Sequence, residues 1–169
     1  MGYALQRVAA TRNLSSGQLK QEKKGDATMG LGSLNYLSVF VAAIASFVFG
    51  GLWYNAFSKP WMDAVGMSPE RMQKHRSSLG LYVLAFVAQL VMAVMLAGIL
   101  VHLAHGGLST TLRTGLISAG FLWLGFVIPT MVVNYAFHGA RQSLTLIDGG
   151  HWLGVLLIQG AIMGWWGVR

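Results

Sequence analysis

The chain has no cysteine. That excludes disulfides, thiolate metal sites and a cysteine nucleophile, and it leaves the redox compartment unreadable. Charge is also scarce: Asp, Glu, Lys and Arg make up 10% of the 169 residues, against roughly 25% in a soluble domain. So few ionic groups cannot coat a water-facing surface. The net charge of +7 does not point to nucleic acid, because the basic residues form no patch with aromatics among them. They sit in a tail and in loops beside apolar runs, where Lys and Arg set membrane orientation and meet anionic lipid. Repeats of 20–50 residues are absent as well.

What is abundant is apolar sequence, 54% of the chain, gathered into four runs. Residues 36–54 carry no charge and, at 1.5 Å per residue, roughly span the ~30 Å hydrocarbon core. Residues 79–103 form a second run, interrupted by Gln89 and His102. Residues 114–137 contain Pro129 and end in Asn134-Tyr135, and residues 149–168 carry His151 and Gln159. Each run is continuous rather than alternating, and each exceeds the ~10 residues of a barrel strand. The sequence therefore predicts an all-α membrane protein, a four-transmembrane-helix bundle over residues 35–169, with a polar basic N-terminal tail over residues 1–34.

The tail reads as a flexible leader without a signal peptide. Its charges, Arg7, Arg12, Lys20, Lys23 and Lys24 against Glu22 and Asp26, stand far from the first apolar run, which continues unbroken into Gly50-Gly51-Leu52-Trp53-Tyr54. Gln6 replaces the Ser or Thr that myristoylation needs. A transit peptide over residues 1–16 and a start at Met29 are alternative readings. Helix ends are marked by Ser68-Pro69-Glu70, by Gly106-Gly107, by Ser109-Thr110-Thr111 and by Gly139. The Gly-Gly pairs read as end caps. Pro129 predicts a kink, because it removes a backbone bond to Gly125.

Small residues recur on two helices: Ala42, Ser46 and Gly50 on the first, Gly150, Gly154, Ala161 and Gly164 on the fourth. Such stripes let backbones approach closely, either within one bundle or in a homo-oligomer. Alternate spans run in opposite directions, so both termini share one side. Arg7, Arg12, Lys20, Lys23, Lys24, Arg113 and Arg169 lie there; Lys59, Arg71, Lys74, Arg76 and Arg141 lie opposite. The excess favours cytoplasmic termini in a multi-pass protein of the cell inner membrane, and depends on the tail.

One membrane surface collects most of the polar and aromatic chemistry. Residues 50–62 leave the first span as an interfacial belt with Trp53, Tyr54, Lys59 and Trp61. Asn134 and His138 end the third span there, and Asp148 and His151 begin the fourth. These eight residues are the candidate ligand-binding set, with residues 50–62 as one wall.

Leu52-Trp53-Tyr54, followed by Phe57, Lys59 and Trp61-Met62, resembles the first signature of the domain of unknown function 1761 family of small, mostly bacterial membrane proteins. Asn134-Tyr135-Ala136-Phe137, Leu146-Ile147-Asp148-Gly149-Gly150 and Gly160-Ala161-Ile162-Met163-Gly164 resemble its C-terminal signature. The likeness covers about residues 35–166 and implies a four-span membrane domain; it implies no activity. The family pattern often has Asn where this chain has Asp148, and Tyr where it has His151.

Individual residues carry a bland and a sharp reading. Asp148, just before the fourth run, reads as an N-cap or as a functional carboxylate within the membrane. His138, His151 and Asp148, with His75 or Glu70, lack any metal-ligand spacing, and His102-x-x-His105 lies at the other surface without a third ligand. No metal and no cofactor is expected. Gln89 and Gln159 fall near mid-membrane and enter from the same side, so they form a structural hydrogen bond or line a transport path. The runs contain no Glu, Lys or Arg of the kind that proton-coupled transporters use. No Ser-His-Asp order, paired-carboxylate spacing or phosphate-cradling loop is present. The favoured reading is a non-enzymatic binding or accessory protein in the lipid bilayer, holding a lipid, a small apolar ligand or a partner membrane protein. A small oligomeric transporter or channel is the alternative, and a membrane enzyme using His138, Asp148 and His151 the third.

Overall fold

The computed structural model describes residues 34–169, without the side chains of His75 and Arg76. The expectations for the tail, including Met29, lie outside the described residues, as does the His75 side chain. The described part is helical: α1 Tyr36–Ala56, α2 Ser58–Val65, α3 Pro69–Arg76, α4 Leu79–His105, α5 Leu112–Leu122, a π turn Trp123–Val127, α6 Ile128–Phe137 and α7 Gln142–Trp166. Four helices are long and apolar enough to cross a membrane: α1, α4, the continuous stretch Leu112–Phe137, and α7.

Local chemistry explains most of the boundaries. Asn35 starts α1: its side chain accepts from the Ser38 N–H at 3.1 Å, and its own N–H donates to the Val168 carbonyl at 2.9 Å. Thr111 caps α5 by accepting from the Thr114 N–H at 3.2 Å. Gly66 ends α2 at φ 69° and Gly139 follows α6 at φ 64°, left-handed positions that glycine takes without a Cβ clash. Of the glycine pairs, only Gly106-Gly107 stands at a helix end. Gly50-Gly51 lies inside α1 and Gly149-Gly150 inside α7, for packing reasons given below.

Pro129 acts differently from a simple kink. The ladder before it widens into the π turn, in which the Ile128 N–H reaches back to the Trp123 carbonyl. One extra residue is thereby accommodated just where proline cannot donate. The Thr130 hydroxyl donates to the Phe126 carbonyl at 2.6 Å, engaging one carbonyl of the loosened turn.

The fourth helix starts two turns earlier than hydropathy indicates. Arg141, Gln142, Ser143 and Thr145 resemble loop residues, yet α7 begins at Gln142. Leu144, Ile147, Asp148 and His151 are all buried, a helical stripe facing the other spans. Asp148 therefore sits about two turns inside a helix, and the N-cap reading is incorrect. Arg141 precedes the helix and donates to the Asp63 carbonyl of α2 at 3.1 Å.

Packing follows membrane rules. The fully buried apolar positions include Ala42, Ala43, Ala93, Ala97 and Ala119, while Leu52, Leu84, Phe121, Phe126 and Phe137 are exposed. Alanines let the helices approach closely beside buried Leu96, Leu100 and Met163, and the many large apolar residues facing outward suit a lipid solvent. The most buried span is α7 and the least is Leu112–Phe137. A Cβ on Gly115 of α5 would collide with the Gly160 backbone of α7, and one on Gly164 would come 2.5 Å from the Thr111 carbonyl oxygen. Gly150 and Gly154 admit Trp53 and Phe49 of α1 instead. The α7 stripe thus divides between two partners within the chain, and its closest contacts use Gly115 and Gly160, neither of which belongs to the two small-residue stripes read from the sequence.

Candidate binding site

Three consecutive residues of α7 organise the polar end of the protein. The Asp148 Oδ1 accepts from the Tyr54 hydroxyl of α1 at 2.9 Å and from the Trp61 indole of α2 at 3.0 Å. Its Oδ2 accepts from the Tyr135 hydroxyl of α6 at 2.8 Å. On either side, the Trp53 indole donates to the Ile147 carbonyl at 3.1 Å and the Trp123 indole to the Gly149 carbonyl at 2.8 Å. Five aromatic side chains therefore aim their N–H or O–H groups at residues 147–149. Glycine makes this geometry available: a Cβ on Gly150 would stand 3.0 Å from the Trp53 ring, and one on Gly149 would be 2.7 Å from Ile128. A buried carboxylate is costly unless its lone pairs are used; here both oxygens are.

A second buried polar cluster lies near mid-depth. Gln159 donates to the Ser46 hydroxyl and to the Gln89 main-chain carbonyl, both at 3.0 Å. Ser46 lies 2.8 Å from the Gln89 Oε1. Gln89 and Gln159 thus meet, through α1, with both side chains buried. The Gln159 Oε1 has no partner among the described residues.

Between the two clusters is a cavity of about 780 Å³. It separates the outer halves of α1 and α4, with Gln89 and Phe47 at its inner end and Trp61 of α2 and Met72 of α3 at the loop end. Tyr54, Asn55, Tyr82, His151 and Trp152 also line it, and among the described residues no Asp, Glu, Lys or Arg does. The rim residues Val48, Leu52, Leu81 and Tyr82 are exposed, so the cavity opens outward between α1 and α4. Deeper in, the two helices close through edge-on contacts of Phe40 and Phe47 with Phe86.

His151 forms part of the cavity wall. Its side chain is 4% exposed, and neither ring nitrogen has a hydrogen-bond partner among the described residues. The ring stands beside Tyr54 and Trp152, at centroid distances of 4.7 and 4.8 Å, and parallel to Phe49 at 6.2 Å. Gly50 is what lets it fit, since a Cβ there would come within 2.8 Å of Nε2. An unpaired buried polar group of this kind costs roughly 1–3 kcal/mol.

The eight candidate residues thus separate. Trp53, Tyr54, Trp61, Asp148 and His151 come together. Lys59, Asn134 and His138 are exposed and form no hydrogen bond to that group, so the set is not one site. Tyr135, next to Asn134 in sequence, is the residue of that pair that turns inward. Trp123 had no signal beyond being an aromatic in the span, because its reach depends on the π turn. Among the described residues no three His, Cys, Asp or Glu side chains cluster as metal ligands would.

A family model described as "Protein of unknown function (DUF1761)" matches residues 37–164, a stretch that includes both polar clusters and the cavity. No curated protein and no solved structure matches the chain.

Proposed function

The chain belongs to the DUF1761 family of proteins of unknown function, and from that premise we propose that it is a non-enzymatic binding or accessory protein that holds one apolar or amphiphilic molecule between α1 and α4. The cavity carries this reading. Its volume falls in the ~300–1,000 Å³ range of small-molecule sites, its walls are mostly apolar, and a buried imidazole without a partner among the described residues stands in one of them. The Asp148 cluster supports the cavity mechanically, by tying α2, α6 and the end of α1 to α7. In this reading the protein sits in the cell inner membrane with cytoplasmic termini, which a C-terminal reporter active only in the cytoplasm tests.

The test of binding uses Gly51, which lines the cavity and whose added Cβ would meet nothing within 4 Å. In Gly51→Leu the Cβ meets no neighbouring atom, and the longer side chain is expected to fill part of the cavity that Gly51 lines. Native mass spectrometry of the detergent-extracted protein is expected to show a retained amphiphile on the original chain and none on the variant. Identical bound species on both would refute the proposal.

A transport reading keeps one specific observation in its favour: Gln89 lines the inner end of the cavity, next to Gln159. Proteoliposome flux that falls in Gln159→Leu while folding is unchanged would select it over static binding.

A further inference from the structure

We infer that the molecule in the cavity is a single-chain amphiphile with an anionic head, and that Lys59 holds the head at the cavity mouth. The inference rests on the cavity reading above and adds the chemistry of the ligand. It starts from where charge is missing. Among the described residues the cavity lining contains no ionic side chain, and an ionised group buried there without a partner would be strongly disfavoured. A charged head must therefore lie outside the cavity proper.

The loop end supplies such a place. A second hollow, about 470 Å³, lies between α2 and α3 and is lined by Ser58, Lys59, Met62, Pro69, Met72 and Gln73. Met72 also lines the large cavity, so the two hollows are neighbours across one flexible side chain. Among the described residues, Lys59 is the only charged one in either lining. Its side chain is exposed and has no carboxylate partner among the described residues. The other charged side chains described on these two helices, Asp63, Glu70, Arg71 and Lys74, line neither hollow. Ser58 and Gln73 add neutral hydrogen-bonding groups beside the ammonium.

The depth is also appropriate. The short helix α2 follows the first span directly, at the level where lipid headgroups lie and where a lysine can pair with an anionic head. A tail in the large cavity and an anionic head in the smaller hollow satisfy the apolar walls and the unpaired lysine together. A neutral head leaves Lys59 unused, and a lysine that merely reaches toward bulk lipid gives no selectivity to the cavity.

The test titrates two probes of equal chain length, tetradecanoate and 1-tetradecanoylglycerol, into the full chain in zwitterionic nanodiscs at pH 8.5 and low salt. Occupancy is read by native mass spectrometry. The carboxylate is expected to bind up to about fivefold more tightly, as an exposed ion pair allows. That advantage is lost in Lys59→Gln, kept in Lys59→Arg, and reduced at 0.5 M salt (roughly a 4 Å Debye length). Equal affinities for the two probes, or an advantage that survives Lys59→Gln, overturn the anionic head and leave the cavity reading standing. Failure of both probes to bind overturns both, as does unchanged binding of both to Gly51→Leu.

Discussion

Tyr54 and Asp148 stand 94 positions apart in the chain and share a hydrogen bond of 2.9 Å. The bond joins the exit of α1 to the second turn of α7. It places a carboxylate where Trp61 and Tyr135 also donate to it. An acid at this depth is thereby a structural hub, with three donors from three different helices.

Removal of that hub is expected to cost stability in a graded way. In Asp148→Ala three half-buried donors lose their buried acceptor, and the expected loss is about 2–4 kcal/mol. Asp148→Asn keeps one acceptor oxygen but turns an N–H₂ toward the remaining donors, so about 2–3 kcal/mol is expected. Thermal unfolding in detergent checks this. A melting temperature unchanged in Asp148→Ala would mean that the hydrogen bonds do not hold the helices together.

The Ser46–Gln89–Gln159 cluster is expected to behave as one unit. Ser46→Ala and Gln159→Leu should each destabilise by on the order of 1 kcal/mol. The double variant should cost less than the sum of the two, because each single change already breaks the shared bond at 3.0 Å. Strict additivity in a double-mutant cycle contradicts the geometry.

Glycine substitutions separate contact from open space. A Cβ on Gly115 would collide with the Gly160 backbone, and one on Gly160 with that of Gly115. Gly115→Ala and Gly160→Ala are therefore expected to lose roughly 1–3 kcal/mol through forced separation of α5 from α7. Gly98 and Gly120 meet nothing within 4 Å. Their alanine variants should be neutral or gain up to about 1 kcal/mol from helix propensity. Equal effects at all four positions would show that α5 and α7 are not packed through these glycines.

His151 gives a prediction of opposite sign. Its two ring nitrogens are buried and have no partner among the described residues, so His151→Leu removes an unpaired polar group while keeping a side chain in the wall. The ligand-free protein is expected to become more stable by about 1–2 kcal/mol. Retention of the amphiphile should weaken in the same variant, since the cavity wall has changed. A clear loss of stability instead would mean that His151 has a partner in solution, such as an ordered water.

Much of the architecture was legible because membrane physics constrains it tightly. A run of about 20 uncharged residues has few alternatives to a spanning helix, and the breaks at Gly106, Gly107, Thr111 and Gly139 follow local backbone chemistry. The start of α7 was not legible. Gln142, Ser143 and Thr145 carry no apolar signal, and their helix is held by Leu144, Ile147 and Asp148 packing inward. Pro129 announced a disturbance but not its form, since a kink and a π turn relieve the same missing N–H.

The candidate site was half legible for a similar reason. Composition and topology locate polar and aromatic residues at one end of the spans, and that gathering includes Tyr54, Trp61, Asp148 and His151. Neither composition nor topology says which way a side chain turns. Asn134 and Tyr135 are adjacent, so they point about 100° apart on a helix, and only the second reaches Asp148. By itself the sequence determined the number of spans, their alternation and the scarcity of charge within them, because the solvent imposes these on any chain of this composition. The tertiary structure alone decided that the aromatic donors turn inward onto residues 147–149. It alone decided that Gln89 and Gln159 meet, and that a cavity opens between α1 and α4. Those outcomes depend on helix rotation and on the close approach that glycine permits at specific positions, and both are set by the packing of all four helices together.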